Sequence, residues 1–154
     1  MGTSSPIDVD TDRLRERVLA TRERVARAPA SGFDFGTGAA YAVEALGYSR
    51  EELAALPDAC TARFSGVGNP HRAGPMRTGA TVLDHACGSG VDLLLAARRV
   101  GPTGRAIGID LAPAMRACAE QAAAAAGLRA IVEVGDGSFE DLPVADASVD
   151  YVIS

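Results

Sequence analysis

The chain has 154 residues, of which 47% are hydrophobic and 23% are charged, as in ordinary globular proteins. This length allows one domain with a sizeable core and leaves little room for a second. The net charge of -5, with no lysine among the fifteen basic residues, predicts no nucleic-acid partner. No apolar run approaches the roughly 18 residues of a membrane span, so no membrane partner is predicted either.

The N-terminal part, residues 1–38, is predicted to be a frayed leader (residues 1–9), a helix over residues 10–28 and a glycine-containing linker. The helix should dock through three apolar residues on one face: Leu14, Val18 and Val25. The arginines and acids between them form a solvated surface.

Residues 39–80 are predicted to form a helical cap followed by a glycine-rich segment. Ser49 and Glu52 have the spacing of a capping box, in which each side chain bonds to the backbone N–H of the other residue. Pro57 should end the helix that they begin. Four glycines and two prolines between residues 64 and 79 indicate irregular structure.

Strands and helices alternate from residue 81 onward, and this pattern predicts an α/β fold, a Rossmann-like parallel sheet with helices on its faces. The four strands are predicted at residues 81–83, 106–110, 130–134 and 149–153. The two helices are predicted at residues 91–100 and 113–126, with glycines at their ends.

The sequence TVLDHACGSG, residues 81–90, joins the first strand to the first of these helices through a turn of small residues. Gly88 and Gly90 let bare backbone approach a ligand. Asp110 closes the second strand twenty residues after Gly90, where a carboxylate can accept hydrogen bonds from both hydroxyls of a ribose. Leu111 can then lie against an adenine ring. The sequence therefore predicts a nucleoside site at the carboxyl ends of the strands.

The residues after the third strand offer two alternatives for contact with the adenine amino group, Asp136 or Ser138, with Phe139 beside the ring. The third glycine of a nicotinamide-binding motif would fall on Leu93, and Asp84 would repel a diphosphate. Asp84 suits a ligand that carries an ammonium group, such as the methionine end of S-adenosylmethionine. We therefore favour S-adenosylmethionine over a nicotinamide cofactor.

Three motifs, VLDHACGSG, AIGID and GSFEDLPVADASVDYVIS, resemble the class I S-adenosylmethionine-dependent methyltransferases. GYSREELAALP, GVGNP and VGPTGRAIGIDLAPAM are similar to the arsenite-methyltransferase-like branch, so the resemblance covers about residues 41–154. It implies the class I fold, S-adenosylmethionine as cofactor and in-line attack of a substrate nucleophile on the sulfonium methyl. The acidic-glycine motif of the family falls on four residues: Asp84, Ala86, Gly88 and Gly90. Its ribose-binding acid falls on Asp110.

The segment Gly66-Val67-Gly68-Asn69-Pro70 departs from that branch. Arsenic methyltransferases carry a cysteine where this chain has Val67, and valine cannot ligate arsenic. The methyl acceptor is therefore expected to be an unidentified small molecule, with Val67 and Asn69 near the transferred methyl. No metal site is predicted, because His71 and His85 are isolated.

The three cysteines (Cys60, Cys87 and Cys118) contain no Cys-x-x-Cys pair, and their odd number without a signal peptide favours a cytoplasmic protein. The bias toward alanine and arginine is typical of a bacterial genome rich in G and C.

The resemblance also implies that three further strands follow the fourth, so residues 81–154 are expected to be the incomplete, cofactor-binding half of a methyltransferase domain. The fourth strand would then be an apolar edge, open to a second copy or a complementing chain. Two functions stay open. The chain is either the cofactor-binding part of a small-molecule methyltransferase, or a non-catalytic or degenerate module that needs a partner chain.

Overall fold

The computed structural model of the chain describes residues 10–154, so the leader predicted at residues 1–9 lies outside the described residues. A parallel sheet of four strands forms its centre: β1 (Thr81–His85), β2 (Arg105–Ile109), β3 (Val132–Gly135) and β4 (Tyr151–Ile153). The strands are in the order β3-β2-β1-β4, and all neighbouring pairs are parallel. The predicted α/β fold with a parallel sheet is therefore confirmed.

Six α-helices and one 3-10 turn surround the described part of this sheet. The helices are α1 (Thr11–Arg27), α2 (Gly38–Leu46), α3 (Arg50–Ala54), α4 (Asp58–Thr61), α5 (Val91–Val100) and α6 (Pro113–Ala125), and the 3-10 turn is Pro70–Ala73. Within residues 10–154, none of the helices has the length and apolar character required to cross a membrane.

The central strand β1 is buried on both faces of the sheet. Val82 and Leu83 point to opposite faces, and both are at most 1% exposed. Val82 packs with Ala96 and Val100 of α5, whereas Leu83 packs with apolar residues of β2 and of the segment between β3 and β4. Burying each such side chain contributes roughly 1.5–3 kcal/mol. This burial fixes β1, and therefore fixes the position of the residues that follow it.

The strands β3 and β4 both begin two residues later than the sequence predicts, at Val132 and Tyr151. The N–H of Ile131 bonds to the carbonyl of Leu128 in the turn after α6, at 3.0 Å, and so does not enter the ladder. Val149 packs against the cluster around Leu83 before β4 begins. The ends of these strands are therefore set by tertiary contacts.

Helix α1 docks through its C-terminal turns, and not through the whole face that its apolar spacing predicts. Val25 is 0% exposed and packs with Ala112 and Met115 at the start of α6. In contrast, Leu14 is 52% exposed and Val18 is 46% exposed. The prediction that all three residues dock on the domain is wrong for these two, because α1 extends past the residues of α6 that it contacts.

The predicted capping box is half formed. The Oγ of Ser49 accepts a hydrogen bond from the N–H of Glu52 at 3.2 Å, as predicted. The carboxylate of Glu52 instead accepts a bond from Nη2 of Arg99 on α5 at 2.8 Å. An ion pair with the neighbouring helix therefore replaces the second bond of the box, and it ties α3 to α5.

Candidate functional site: a cavity at the carboxyl ends of the strands

A cavity of about 340 Å³ lies where β1 and β2 end. Its floor comes from the turn between β1 and α5 and from the residue that follows β2. Residues 137–139, after β3, form one side, and α1 with residues 63–68 forms the other. Since all strands are parallel, their carboxyl ends meet at this edge of the sheet, which is where open α/β sheets bind ligands.

Asp84 lies in the wall of this cavity and is 2% exposed. Its Oδ2 has no hydrogen-bond partner among the described residues. Burial, and then the neighbouring carboxylates of Asp92 and Asp110, raise the pKa of Asp84 well above its ordinary value. A buried carboxylate oxygen that lacks a partner is costly, and a ligand with a positive charge and N–H donors would satisfy it.

The turn between β1 and α5 has three residues with positive φ: Ala86 at 60°, Gly88 at 54° and Gly90 at 92°. A Cβ on Gly88 would meet no atom within 4 Å, so the backbone there faces open space in the cavity. A Cβ on Gly90 would lie 3.1 Å from the Cβ of Ala119 on α6. The structure thus places Gly88 in the cavity wall and Gly90 in a helix contact.

Asp110 is 7% exposed and lines the cavity directly after β2. Its Oδ2 accepts a hydrogen bond from the N–H of Gly88, and its Oδ1 accepts one from the N–H of Ala112, both at 2.8 Å. An ionised carboxylate offers about four lone-pair positions, so two remain for a ligand. Leu111, which is 41% exposed, lines the cavity beside it.

The two alternatives after β3 occupy different places. Ser138 and Phe139 line the cavity. The carboxylate of Asp136 is 71% exposed and pairs with Nη1 of Arg116 at 2.7 Å, outside the cavity wall. Of the two, Ser138 is the residue that the structure brings to the cavity.

Phe139 is 70% exposed, and its ring lies edge-on to the imidazole of His85 with centroids 3.5 Å apart. Burial lowers the pKa of His85, although a hydrogen bond to the Ser138 backbone and the charge of Asp110 act in the opposite direction. A neutral His85 therefore supports Phe139 at neutral pH.

Of the two residues predicted near the transferred methyl, one lines the cavity and the other does not. Val67 is 94% exposed and lines the cavity. The amide of Asn69 donates to the carbonyl of Gly47 at 3.3 Å, and its Oδ1 accepts from the N–H of His71 at 3.1 Å. Asn69 thus holds the 3-10 turn and is absent from the cavity wall, so its contact with substrate stays a prediction.

The sequence reasoning missed a polar group next to Asp84. Asp92 lines the cavity, and its Oδ1 accepts a hydrogen bond from the hydroxyl of Tyr48 at 2.7 Å. The buried Nε2 of His71 lies 3.2 Å from the same oxygen. These three residues are far apart in the sequence. The only signal of the group in the sequence is the position of Asp92, two residues after Gly90.

Comparison with known proteins shows the family to which the chain is similar. Residues 82–154 match the family described as a methyltransferase domain. The chain is 37% identical to an arsenite methyltransferase of Halobacterium salinarum over 96% of its own length and 40% of that protein. It is 42% identical to a nocamycin O-methyltransferase of Saccharothrix syringae, over 47% of the chain and 26% of that protein.

A solved structure shares the fold. The arsenic(III) S-adenosylmethionine methyltransferase of Chlamydomonas reinhardtii has a TM-score of 0.58 and 30% identity, over 67% of this chain and 36% of that one. The chain therefore belongs to the class I S-adenosylmethionine-dependent methyltransferases, and S-adenosylmethionine is its cofactor. Within that family it is similar to the arsenite methyltransferases, and it spans less than half of the length of either relative named as acting on arsenic.

Proposed function

We propose that the chain is the cofactor-binding part of a methyltransferase that acts on a small molecule. The observation that carries the proposal is the unpartnered Oδ2 of Asp84, buried in the wall of a cavity beside the open backbone of Gly88. The methionine end of the cofactor offers an ammonium group, which is the donor that such an oxygen lacks.

Four further residues in the cavity wall have a role in this proposal. Asp110 would accept hydrogen bonds from the ribose hydroxyls through the lone pairs that its two backbone bonds leave free. Leu111 and Phe139 would lie against the adenine ring, and Ser138 would meet its amino group. The cofactor supplies the activated methyl group, while these residues supply orientation and exclude water.

The methyl acceptor is proposed to be a molecule other than arsenite, although two relatives are named for arsenic. Val67 has no sulfur ligand to offer. The Sγ of Cys60 donates to the carbonyl of Ser89 at 3.1 Å, and burial raises the pKa of this thiol to about 12. Binding trivalent arsenic needs thiolates, and a thiol with such a pKa stays protonated at neutral pH.

Calorimetric titration with S-adenosylhomocysteine tests the proposed site. Replacing Asp110 by alanine should weaken binding by about tenfold or more, because hydrogen bonds to a charged group are worth roughly 1.5–3 kcal/mol. Asp146→Ala removes the same charge from an exposed position outside the cavity and should leave the affinity unchanged. Equal affinities for wild type and Asp110→Ala would contradict the assignment.

A second candidate is a cofactor-binding module that acts only with a complementing chain. One observation favours it: β4 is the edge of the described sheet, and Val152 on it is 63% exposed. An apolar strand edge is a surface for pairing with another strand. Methyl transfer by the chain alone, or only after addition of a complementing chain, separates the two candidates.

A further inference from the structure

A second, more open cavity of about 570 Å³ lies beside the cofactor cavity. The two cavities share five wall residues: Val18, Arg22, Ser65, Gly66 and Val67. The two cavities therefore adjoin along α1 and the short segment around Val67. The size of the second cavity is within the range of sites for small molecules.

Most of the second cavity is apolar and aromatic. Leu14, Phe35 and Tyr41 line it, together with Val18 and Val67. Leu14, Phe35 and Val67 are 52%, 41% and 94% exposed. Exposed apolar side chains that form one patch often mark a binding site, whereas apolar side chains exposed singly are common on any protein surface. This wall suits a flat hydrocarbon or aromatic body.

The second cavity has basic but no acidic residues in its described wall, whereas the first has both, with Arg22 and Arg63 beside its acids. The basic residues of the second cavity are Arg17 and Arg22. Within residues 10–154, neither arginine forms an ion pair with a carboxylate, and the Nη1 of Arg22 donates to the hydroxyl of Ser65 at 2.7 Å. In contrast, the walls of the first cavity contain three acids: Asp84, Asp92 and Asp110.

We propose that the second cavity is the acceptor subsite, and that the acceptor is an apolar organic anion, such as an aromatic carboxylate. The hydrocarbon body lies against Leu14, Phe35 and Tyr41, and the anionic group binds the guanidinium groups of Arg17 and Arg22. A guanidinium is charged at all working pH values and binds carboxylates through paired N–H donors. This inference rests on the proposed methyltransferase function and adds the class of acceptor to it.

Three probes of equal size and different charge test this proposal by calorimetric titration into the chain: 2-naphthoate, 2-naphthalenemethanol and 2-naphthylmethylammonium. We expect 2-naphthoate to bind at least about tenfold more tightly than the neutral alcohol, and the cation to bind most weakly. Arg17→Gln should reduce the affinity for 2-naphthoate about fivefold or more, toward that of the alcohol. Arg13→Gln makes the same change on the same helix outside the cavity and should have no effect.

S-adenosylhomocysteine is titrated into the same samples, so that the two proposals can fail separately. Equal affinities for the three probes, or a loss in Arg13→Gln as large as that in Arg17→Gln, would overturn the acceptor proposal even if S-adenosylhomocysteine binds. If 2-naphthoate binds selectively and S-adenosylhomocysteine does not, the proposed function fails and the second cavity is an anion site of another kind. Circular dichroism of each variant verifies that the helices remain intact.

Discussion

The two ends of the ligand-binding surface differ in charge and in how the chain builds them. The acidic end holds Asp84, the last residue but one of β1, and Asp110, which directly follows β2. The arginine end holds Arg17 and Arg22, which lie on α1, more than fifty residues earlier in the chain. Strand topology fixes the first set of residues, whereas the packing of one helix against α6 fixes the second.

This difference assigns a separate task to each end. A cationic cofactor is attracted by the acids and an anionic acceptor by the arginines, so the two ligands can lie side by side along the wall residues that the cavities share. Residues 65–67 are among these shared residues.

Replacement of Asp84 by asparagine should weaken binding of S-adenosylhomocysteine roughly ten- to a hundredfold, since it removes the charge that pairs with the ammonium group. The wild-type affinity should also rise with pH, because the raised pKa of Asp84 keeps part of the carboxyl protonated at low pH. The variant should lose this pH dependence. Titrations between pH 5 and pH 8 measure both effects, and a pH dependence that persists in Asp84→Asn would assign it to another group.

The same substitution should stabilise the ligand-free chain at neutral pH. The native pKa of Asp84 lies above its ordinary value of 3.8, so its contribution to stability is fully present below that pH and is lost as pH rises through the native pKa. Asparagine has no charge to bury, and we expect a gain of about 0.5–2 kcal/mol in urea unfolding at pH 7. Lower stability of the variant at pH 7 would mean that Asp84 has a partner when ionised.

Ala86→Gly should stabilise the chain by about 0.5–1 kcal/mol. Ala86 has a φ of 60°, and a residue with a Cβ in this left-handed region costs about 1–2 kcal/mol, which exceeds the entropy that glycine adds to the unfolded chain. Urea unfolding measures the change. Ala124→Gly, at an exposed position in α6, is the matched control and should destabilise the chain by about 1 kcal/mol.

The sequence predicted the acidic end better than the arginine end. Alternating strands and helices predict the parallel sheet, which the structure confirms. The acids at residues 84 and 110 predict a ligand at its carboxyl edge, and this stays a prediction. The structure brings Asp84, Gly88 and Asp110 into the wall of one cavity, as this reasoning requires. These residues meet because the carboxyl ends of parallel strands lie at one edge of the sheet.

Contacts between distant segments could not be predicted in the same way. The apolar spacing of α1 indicated a buried face, but it contained no information on which turns α6 would cover. Leu14 and Val18 therefore line a cavity, although their spacing predicts that they dock on the domain. The group of Tyr48, Asp92 and His71 could not be predicted from the sequence for the same reason, since it joins three separate segments.

The most direct test of the central claim is the chemical shift map of the ¹⁵N-labelled chain on addition of S-adenosylhomocysteine. The account predicts that the largest amide shifts occur at Gly88, Leu111 and Ser138, in the cavity wall. Gly127, at the far end of α6 and roughly 20 Å along that helix, should not shift. Saturable shifts confined to another surface, or the absence of shifts in a folded chain, would contradict the assignment of this cavity to the cofactor.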